Sequence, residues 1–188
     1  TCWVLKCDIR KFFASIDHTV LQQVLKSWIT DPDTLWLLGQ VITSFTARSN
    51  LAGVGLPLGN LTSQLLVNIY MNEFDQFVKY NIKVKHYIRY ADDFVLLSQH
   101  KQYLQETLRY IVVFLEEKLK LQLHPDKVYI KTFASGVDFL GWVPFVDHRV
   151  LRTTTKRRMF RRITERDRDE HTLQSYLGML SHGNAHKV

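Results

Sequence analysis

Ile88-Arg89-Tyr90-Ala91-Asp92-Asp93-Phe94-Val95-Leu96-Leu97 decides how this chain is read. Two adjacent carboxylates stand between two apolar, β-prone stretches, the pattern of a hairpin with the acid pair at its turn. Carboxylates side by side repel each other unless a cation lies between them. A hard, oxygen-only site suits Mg²⁺. Taken alone, an Asp-Asp pair is more often a solvated turn, so the rest of the chain has to decide.

The segments around this hairpin alternate between strand and helix signals. Trp3 to Ile9 reads as a buried strand that ends at Asp8. Asp17 can cap a helix through about Trp28, with Val20, Leu21, Val24 and Leu25 at helical spacing. Asp31-Pro32-Asp33 breaks it and opens another over 33–46. Residues 48–59 are a loop containing Gly and Pro, and a long helix follows over 60–80. The strands beside the acid pair run over 84–90 and 93–98. A helix over 101–119 turns Tyr103, Leu104, Leu108, Ile111, Val112 and Leu115 inward, and 127–133 is a strand. Residues 139–145 and 148–152 look like a small hairpin, with helices from Thr154 and over 172–181.

The order strand, helices, strand, strand, helix, strand is that of a split βαβ unit. The expected fold class is therefore α+β, ferredoxin-like, with an antiparallel sheet and helices on one face. In that topology the first strand and the hairpin strands can be central neighbours, which would bring Asp8, Asp92 and Asp93 to one sheet edge. A composition shift near 147–153 divides the chain into 1–147 and a helical end, 148–188.

With 188 residues and a hydrophobic content of 46%, there is enough chain for a real core. No apolar run approaches the roughly 18 residues of a membrane span, and no secretory leader opens the chain. It starts at Thr1 inside a strand-like run with no initiator Met, and reads as an excised piece whose N-terminal part is missing. Cys2 and Cys7 are too few for a disulfide framework and no His/Cys spacing fits zinc, so a reduced, intracellular setting is the default. The net charge of +7 is concentrated. Residues 149–168 hold nine bases against Glu165 and Asp167, and the remainder is neutral. One basic segment on a neutral body points to a polyanion such as nucleic acid, although a merely solvated helix also carries such charge.

Three clustered carboxylates without His or Cys suit two Mg²⁺ ions, which activate an attacking oxygen and stabilise a leaving oxygen in phosphoryl transfer. Glycoside hydrolysis is the rival use of paired carboxylates. It fits poorly, because adjacent acids in one turn do not face each other across a sugar and a neutral glycan has no use for a basic flank.

Over essentially its whole length the chain resembles the palm and early thumb of a reverse transcriptase. Five stretches match in the family's order: Lys6 to Phe13 with Ala14-Ser15-Ile16-Asp17-His18, Gly55-Leu56-Pro57-Leu58-Gly59-Asn60-Leu61-Thr62-Ser63-Gln64, Tyr90-Ala91-Asp92-Asp93, Leu123-His124-Pro125-Asp126-Lys127, and Phe139-Leu140-Gly141-Trp142. The resemblance implies that Asp8 and Asp92 bind both Mg²⁺ ions, that Asp93 supports them, and that the carbonyl of Ile9 completes the shell. It implies that Phe13 is an aromatic gate against a ribose 2′-hydroxyl, although a phenylalanine there also suits plain core. Leu58, Gly59, Asn60, Ser63 and Gln64 would lie near the incoming nucleotide and template, with helix capping as an alternative for Asn60. Lys127 would be a proton donor near the leaving pyrophosphate, against the plainer reading of a solvated lysine. Phe139, Leu140, Gly141 and Trp142 would grip the primer end. Arg152, Lys156, Arg157, Arg158, Arg161 and Arg162 would track duplex phosphates without reading sequence, and Ser175 to Ala185 resembles the continuing thumb.

The second stretch departs from common reverse transcriptases, which have Gln before its glycine and Pro after its serine. Here those positions are Leu58 and Gln64. That departure resembles diversity-generating retroelement enzymes of bacteria and phages, which are error-prone at template adenines. The alanine of Tyr90-Ala91-Asp92-Asp93 is instead frequent among group II intron enzymes. The expected function is an RNA-directed DNA polymerase adding deoxynucleoside triphosphates to a primer on template RNA. The resemblance places it in the cytoplasm and, in the diversity-generating case, with a small basic accessory protein. It puts the fingers before Thr1 and more thumb after Val188, so this piece alone is expected to be weak or inactive. A retron-type or defence-type reverse transcriptase and a non-catalytic nucleic-acid-binding module are the alternatives.

Overall fold

The structure is a computed structural model that describes residues 1–44, 53–165, 169–181 and 183. Arg166 and Arg168 of the basic segment, His182, Asn184 and Ala185 of the thumb-like stretch, and the first part of the loop expected over 48–59 lie outside the described residues.

The elements in chain order are β1 (Trp3–Asp8), α1 (His18–Trp28), α2 (Pro32–Thr43), α3 (Leu61–Gln76), β2 (His86–Tyr90), β3 (Asp93–Ser98), α4 (Lys101–Leu119), β4 (Tyr129–Thr132), β5 (Trp142–Pro144), β6 (Arg149–Leu151), α5 (Thr153–Glu165) and α6 (Glu170–Leu180). Local chemistry sets several ends. The Asp17 carboxylate accepts from the Val20 N–H at 3.0 Å and starts α1. Asp31 accepts from Thr34 N–H at 2.8 Å with Pro32 in the first turn of α2. Each satisfies an amide that the helix itself leaves open. The long helix expected over 60–80 is α-helical only to Gln76, then continues as a π-helical turn, Phe77–Asn81.

Two compact units divide the chain: Trp3–Ile130, and Lys131–Val188 with Thr1–Cys2. The division falls earlier than the 147/148 boundary expected from composition. The reason is local. Val137 N–H donates to Pro144 O at 3.2 Å, Arg152 N–H to Gly141 O at 3.0 Å, and Arg152 pairs with Asp138 at 2.9 Å. These bonds tie residues 137–144 to the start of α5 rather than leaving them with the larger unit.

The sheet order is β2-β3-β1-β4, the split βαβ order, with β1 and β3 central; β2, β3, β1 and the first two residues of β4 belong to the larger unit. β1 pairs antiparallel with β3, and β2 with β3. The register sets Leu5 opposite Leu96 and Cys7 opposite Phe94. Those residues form one buried core with Tyr70 and Phe74 of α3 and Leu104, Ile111 and Leu115 of α4. Because side chains alternate along a strand, Lys6, Asp8, Asp93 and Val95 take the opposite face. The period-2 pattern of two strands thus sets the helix-facing core on one side and Lys6, Asp8 and Asp93 on the other.

In the smaller unit β5 and β6 form a short hairpin. Phe139 is not part of β5, although one strand was expected over 139–145. Phe139 and Trp142 exchange N–H···O bonds of 2.9 and 3.0 Å across a turn of Leu140 (φ 54°) and Gly141 (φ 83°). Two central residues at positive φ mark a type I′ turn, the tight form that suits a twisted hairpin. Gly141 adopts this conformation without the steric cost that Leu140 carries.

Candidate active site

The acids converge because of register. Asp8 is the last residue of β1 and lies directly opposite Asp93, the first of β3. Tyr90 also opposes Asp93, so Ala91 and Asp92 are the two central residues of the β2–β3 turn, with Ala91 at φ 53°. Ile9 N–H donates to Asp92 O at 3.1 Å, which joins the turn to the end of β1. Residues about 85 positions apart in sequence therefore meet at one sheet end, as the sequence suggested.

Two lysines neutralise the cluster. Lys6 lies two residues before Asp8 on the same face, is 7% exposed, and its ammonium pairs with Asp93. Lys127 places its ammonium 3.1 Å from both oxygens of Asp8. Burial pushes the Asp92 carboxyl above its ordinary range, and the Asp8 charge pushes the same way. Burial raises Asp93 too, opposed by Lys6 and reinforced by Asp8 and Asp92. Carboxylates that are partly buried and crowded against one another favour a bound cation. The donor set is hard oxygen, as Mg²⁺ requires. Yet among the described residues no group of three or more His, Cys, Asp or Glu side chains is arranged to hold a metal ion. The fit to Mg²⁺ therefore lies in donor chemistry and charge, with Lys127 and Lys6 now taking the cationic places.

The second stretch is stitched to the first. Gly55 N–H donates to Ile16 O at 2.7 Å, Leu56 N–H to Phe13 O at 2.8 Å, and the His18 ring bonds Gly55 O at 2.7 Å. Phe13 is half-buried beside Phe12. Leu58 is 79% exposed, and Gly59, Asn60 and Gln64 are exposed with it. Asn60 occupies the N-cap position of α3 but makes no side-chain capping bond, which removes the capping explanation for it. Ser63 is buried on α3.

In the smaller unit Leu140 of the Phe139–Trp142 turn is exposed and Trp142 is half-buried beneath the Arg149 guanidinium at 5.5 Å. Of the expected phosphate-tracking residues, Arg157, Arg158, Arg161 and Arg162 are exposed on α5. Arg152 is paired with Asp138, and Lys156 lies over the Phe160 ring at 5.9 Å. Arg158 and Arg162 line a cleft of about 420 Å³ with His171, Ser175 and Tyr176 of α6.

Sequence reasoning missed Lys6, Asp75 and Arg89. A lysine inside an apolar strand, in phase with Asp8, was the available signal for Lys6, since a buried ammonium needs a partner. Asp75 of α3 accepts from Arg89 Nε at 2.8 Å, Arg89 Nη2 at 2.7 Å and Tyr87 Oη at 2.6 Å. Nothing in the local sequence announces that group.

The family description "Reverse transcriptase (RNA-dependent DNA polymerase)" matches residues 1–143. The chain is 29% identical over 189 residues to Protein YkfC of Escherichia coli (strain K12), covering 82% of this chain and 48% of that protein. It is 24% identical over 228 residues to the group II intron-encoded protein LtrA of Lactococcus lactis subsp. cremoris, covering 83% of this chain and 36% of that protein. This chain thus spans about half the length of these curated relatives, or less. Among solved structures, the telomerase of Candida albicans bound to a fragment of telomeric RNA superposes with a TM-score of 0.61 at 15% identity, covering 81% of this chain and 31% of that one. The apo telomerase of Candida tropicalis gives 0.59 at 10% identity, covering 76% and 31%. These two likenesses are of fold.

Proposed function

The chain belongs to the reverse transcriptase family, and from that premise we propose that the protein copies template RNA into DNA in the manner of a diversity-generating retroelement enzyme. The observation that carries the catalytic reading is the register of Asp8 opposite Asp93 with Asp92 in the adjoining turn. It gathers negative charge where a triphosphate needs a cation.

In this reading a primer 3′-oxygen attacks the α-phosphorus of a deoxynucleoside triphosphate. The new phosphodiester bond forms as the bond to pyrophosphate breaks. Asp8 and Asp92, with the Ile9 carbonyl, are the ligands we assign to two Mg²⁺ ions, and Asp93 supports the site through charge. Mg²⁺, when bound, supplies charge neutralisation at the attacking and leaving oxygens. Lys127, whose ammonium now rests on Asp8, is assigned to give a proton to pyrophosphate. Phe13, half-buried after β1, is assigned to press against the sugar and disfavour a 2′-hydroxyl. The exposed arginines of α5 are assigned to duplex phosphates.

The diversity-generating subtype rests on Leu58 and Gln64. Leu58 has no polar group to hold the nascent base pair, which favours a looser fit. It implies a small basic accessory protein as partner. A group II intron-type enzyme is the second reading, favoured by the likeness to LtrA. Sequencing of DNA made by the full-length protein on a defined RNA tests both parts. Products with errors concentrated opposite template adenines, reduced by Leu58→Gln, support the subtype. Accurate products support the intron reading, and absence of templated DNA rejects the function.

A further inference from the structure

We propose that Asp75 and Arg89 form a brace that positions the Ala91–Asp92 turn, a role that rests on the polymerase reading for its functional consequence but not for its geometry. Asp75 lies on α3 and Arg89 on β2. Arg89 opposes Phe94 in the register, on the sheet face turned to the helices. The guanidinium fork uses Nε and Nη2 on the two oxygens of Asp75, at 2.8 and 2.7 Å. Its remaining arm, Nη1, donates to Ala91 O at 3.0 Å. Tyr87 Oη donates to Asp75 from the same strand.

Each bond acts on the turn in a definable way. Ala91 O belongs to the peptide joining Ala91 to Asp92, so Arg89 fixes the plane on one side of Asp92. Asp92 O, which accepts from Ile9 N–H at 3.1 Å, belongs to the next peptide and fixes the other side. The acid therefore hangs between two anchored peptide planes. Ala91 holds φ 53°, a left-handed conformation that an L-residue with a Cβ does not favour unaided. The brace supplies the contact that keeps it there. Arg89 is suited to this by its planar fork, which reaches three acceptors at once. A lysine ammonium cannot match that geometry. With side chains 9% and 21% exposed, the Arg89–Asp75 pair is also shielded from water.

The test uses the full-length protein carrying Arg89→Lys, with Ile111→Val in α4 as a control that weakens the core without touching the brace. Hydrogen–deuterium exchange over residues 88–93, Mn²⁺ affinity by electron paramagnetic resonance, and kcat and KM for deoxynucleotide are measured. Arg89→Lys is expected to speed exchange at that turn selectively. It should weaken Mn²⁺ binding and lower kcat by about 10-fold or more, as loss of a supporting partner commonly does, with KM little changed. Ile111→Val should move none of these selectively. Unchanged exchange at the turn in a folded Arg89→Lys protein overturns the brace, as does equal loss in both variants. Should the unmodified protein make no DNA, the polymerase reading fails while the exchange and Mn²⁺ results still decide the brace. If Arg89→Lys does not fold, Asp75→Asn, which keeps the side-chain shape but removes the charge and one of the two acceptors that hold the Arg89 fork, takes its place with the same expected and overturning results.

Discussion

Lys6→Met, made in the full-length protein and measured in chelator, isolates the charge balance of the site. Methionine keeps a long apolar stem in the strand, so the loss reports the missing ammonium. Lys6 is 7% exposed and its partner Asp93 is 21% exposed. Removing one member of a buried pair costs roughly 3–5 kcal/mol because a charge is left unpaired. Asp93 keeps some access to water, so the expected loss is at the low end, about 3 kcal/mol. For a domain of this size that lowers Tm by roughly 6–12 °C. Adding Asp93→Asn removes the stranded charge, and the double variant should recover most of the loss, about 2 kcal/mol. The pH dependence has a defined sign. Burial, Asp8 and Asp92 already raise the Asp93 carboxyl, and Lys6 opposes them. Without Lys6 that carboxyl rises further, so the folded variant prefers it protonated. The deficit is then largest at neutral pH and shrinks as pH falls through the raised pKa. Thermal and urea unfolding at neutral and at acidic pH, followed by circular dichroism, provide the assay. A single-variant loss below about 1 kcal/mol, or a double variant less stable than the single, would refute the reasoning.

Three further outcomes are expected. Tyr70→Phe removes a buried hydroxyl that donates to Leu119 O at 2.5 Å, and urea unfolding should show a loss of about 1–3 kcal/mol from the unsatisfied carbonyl. Asp92→Asn should stabilise the metal-free protein at neutral pH. Burial, then Asp8, raise the Asp92 carboxyl above its ordinary 3.8, so the gap to the parent should close as acid protonates Asp92, a trend that Tm against pH will show or deny. Arg157→Gln and Arg158→Gln, at exposed positions on α5, should each lower the slope of log affinity against log salt for an RNA–DNA duplex by about 0.9. An unchanged slope in both would remove α5 from the nucleic-acid interface.

How much was readable from sequence depends on the range of the chemistry. The Asp17 cap was legible because a carboxylate satisfies an amide three residues away, whereas Asp31 reads in sequence only as part of a helix break and not as the cap it forms. The hairpin around Asp92 was legible from the two apolar, β-prone stretches that flank the acid pair, and the acid cluster followed from element order. The Lys6–Asp93 pair was not, because it exists only once β1 and β3 take their register. The same holds for Asp75 and Arg89, 14 positions apart on a helix and a strand. Leu140 was not foreseen at positive φ because nothing in a leucine signals that conformation, and the turn carries the strain beside Gly141. Burial of Ser63 was hidden by α3 phase, which the weakly amphipathic run from Leu61 does not fix. Charge composition marks the surface of α5, whereas the division into compact units goes with backbone bonds around 137–152.

The central claim is that Asp8, Asp92 and Asp93 are the catalytic acids of an RNA-copying polymerase. Its most direct measurement is primer extension by the full-length protein on a defined RNA, with Mg²⁺ and deoxynucleotides, beside Asp92→Asn. The account predicts templated DNA from the parent and none from a variant that still folds and binds RNA. Undiminished synthesis by Asp92→Asn would contradict the site, and RNA binding without extension by the parent under Mg²⁺ or Mn²⁺ would turn the reading to a binding module.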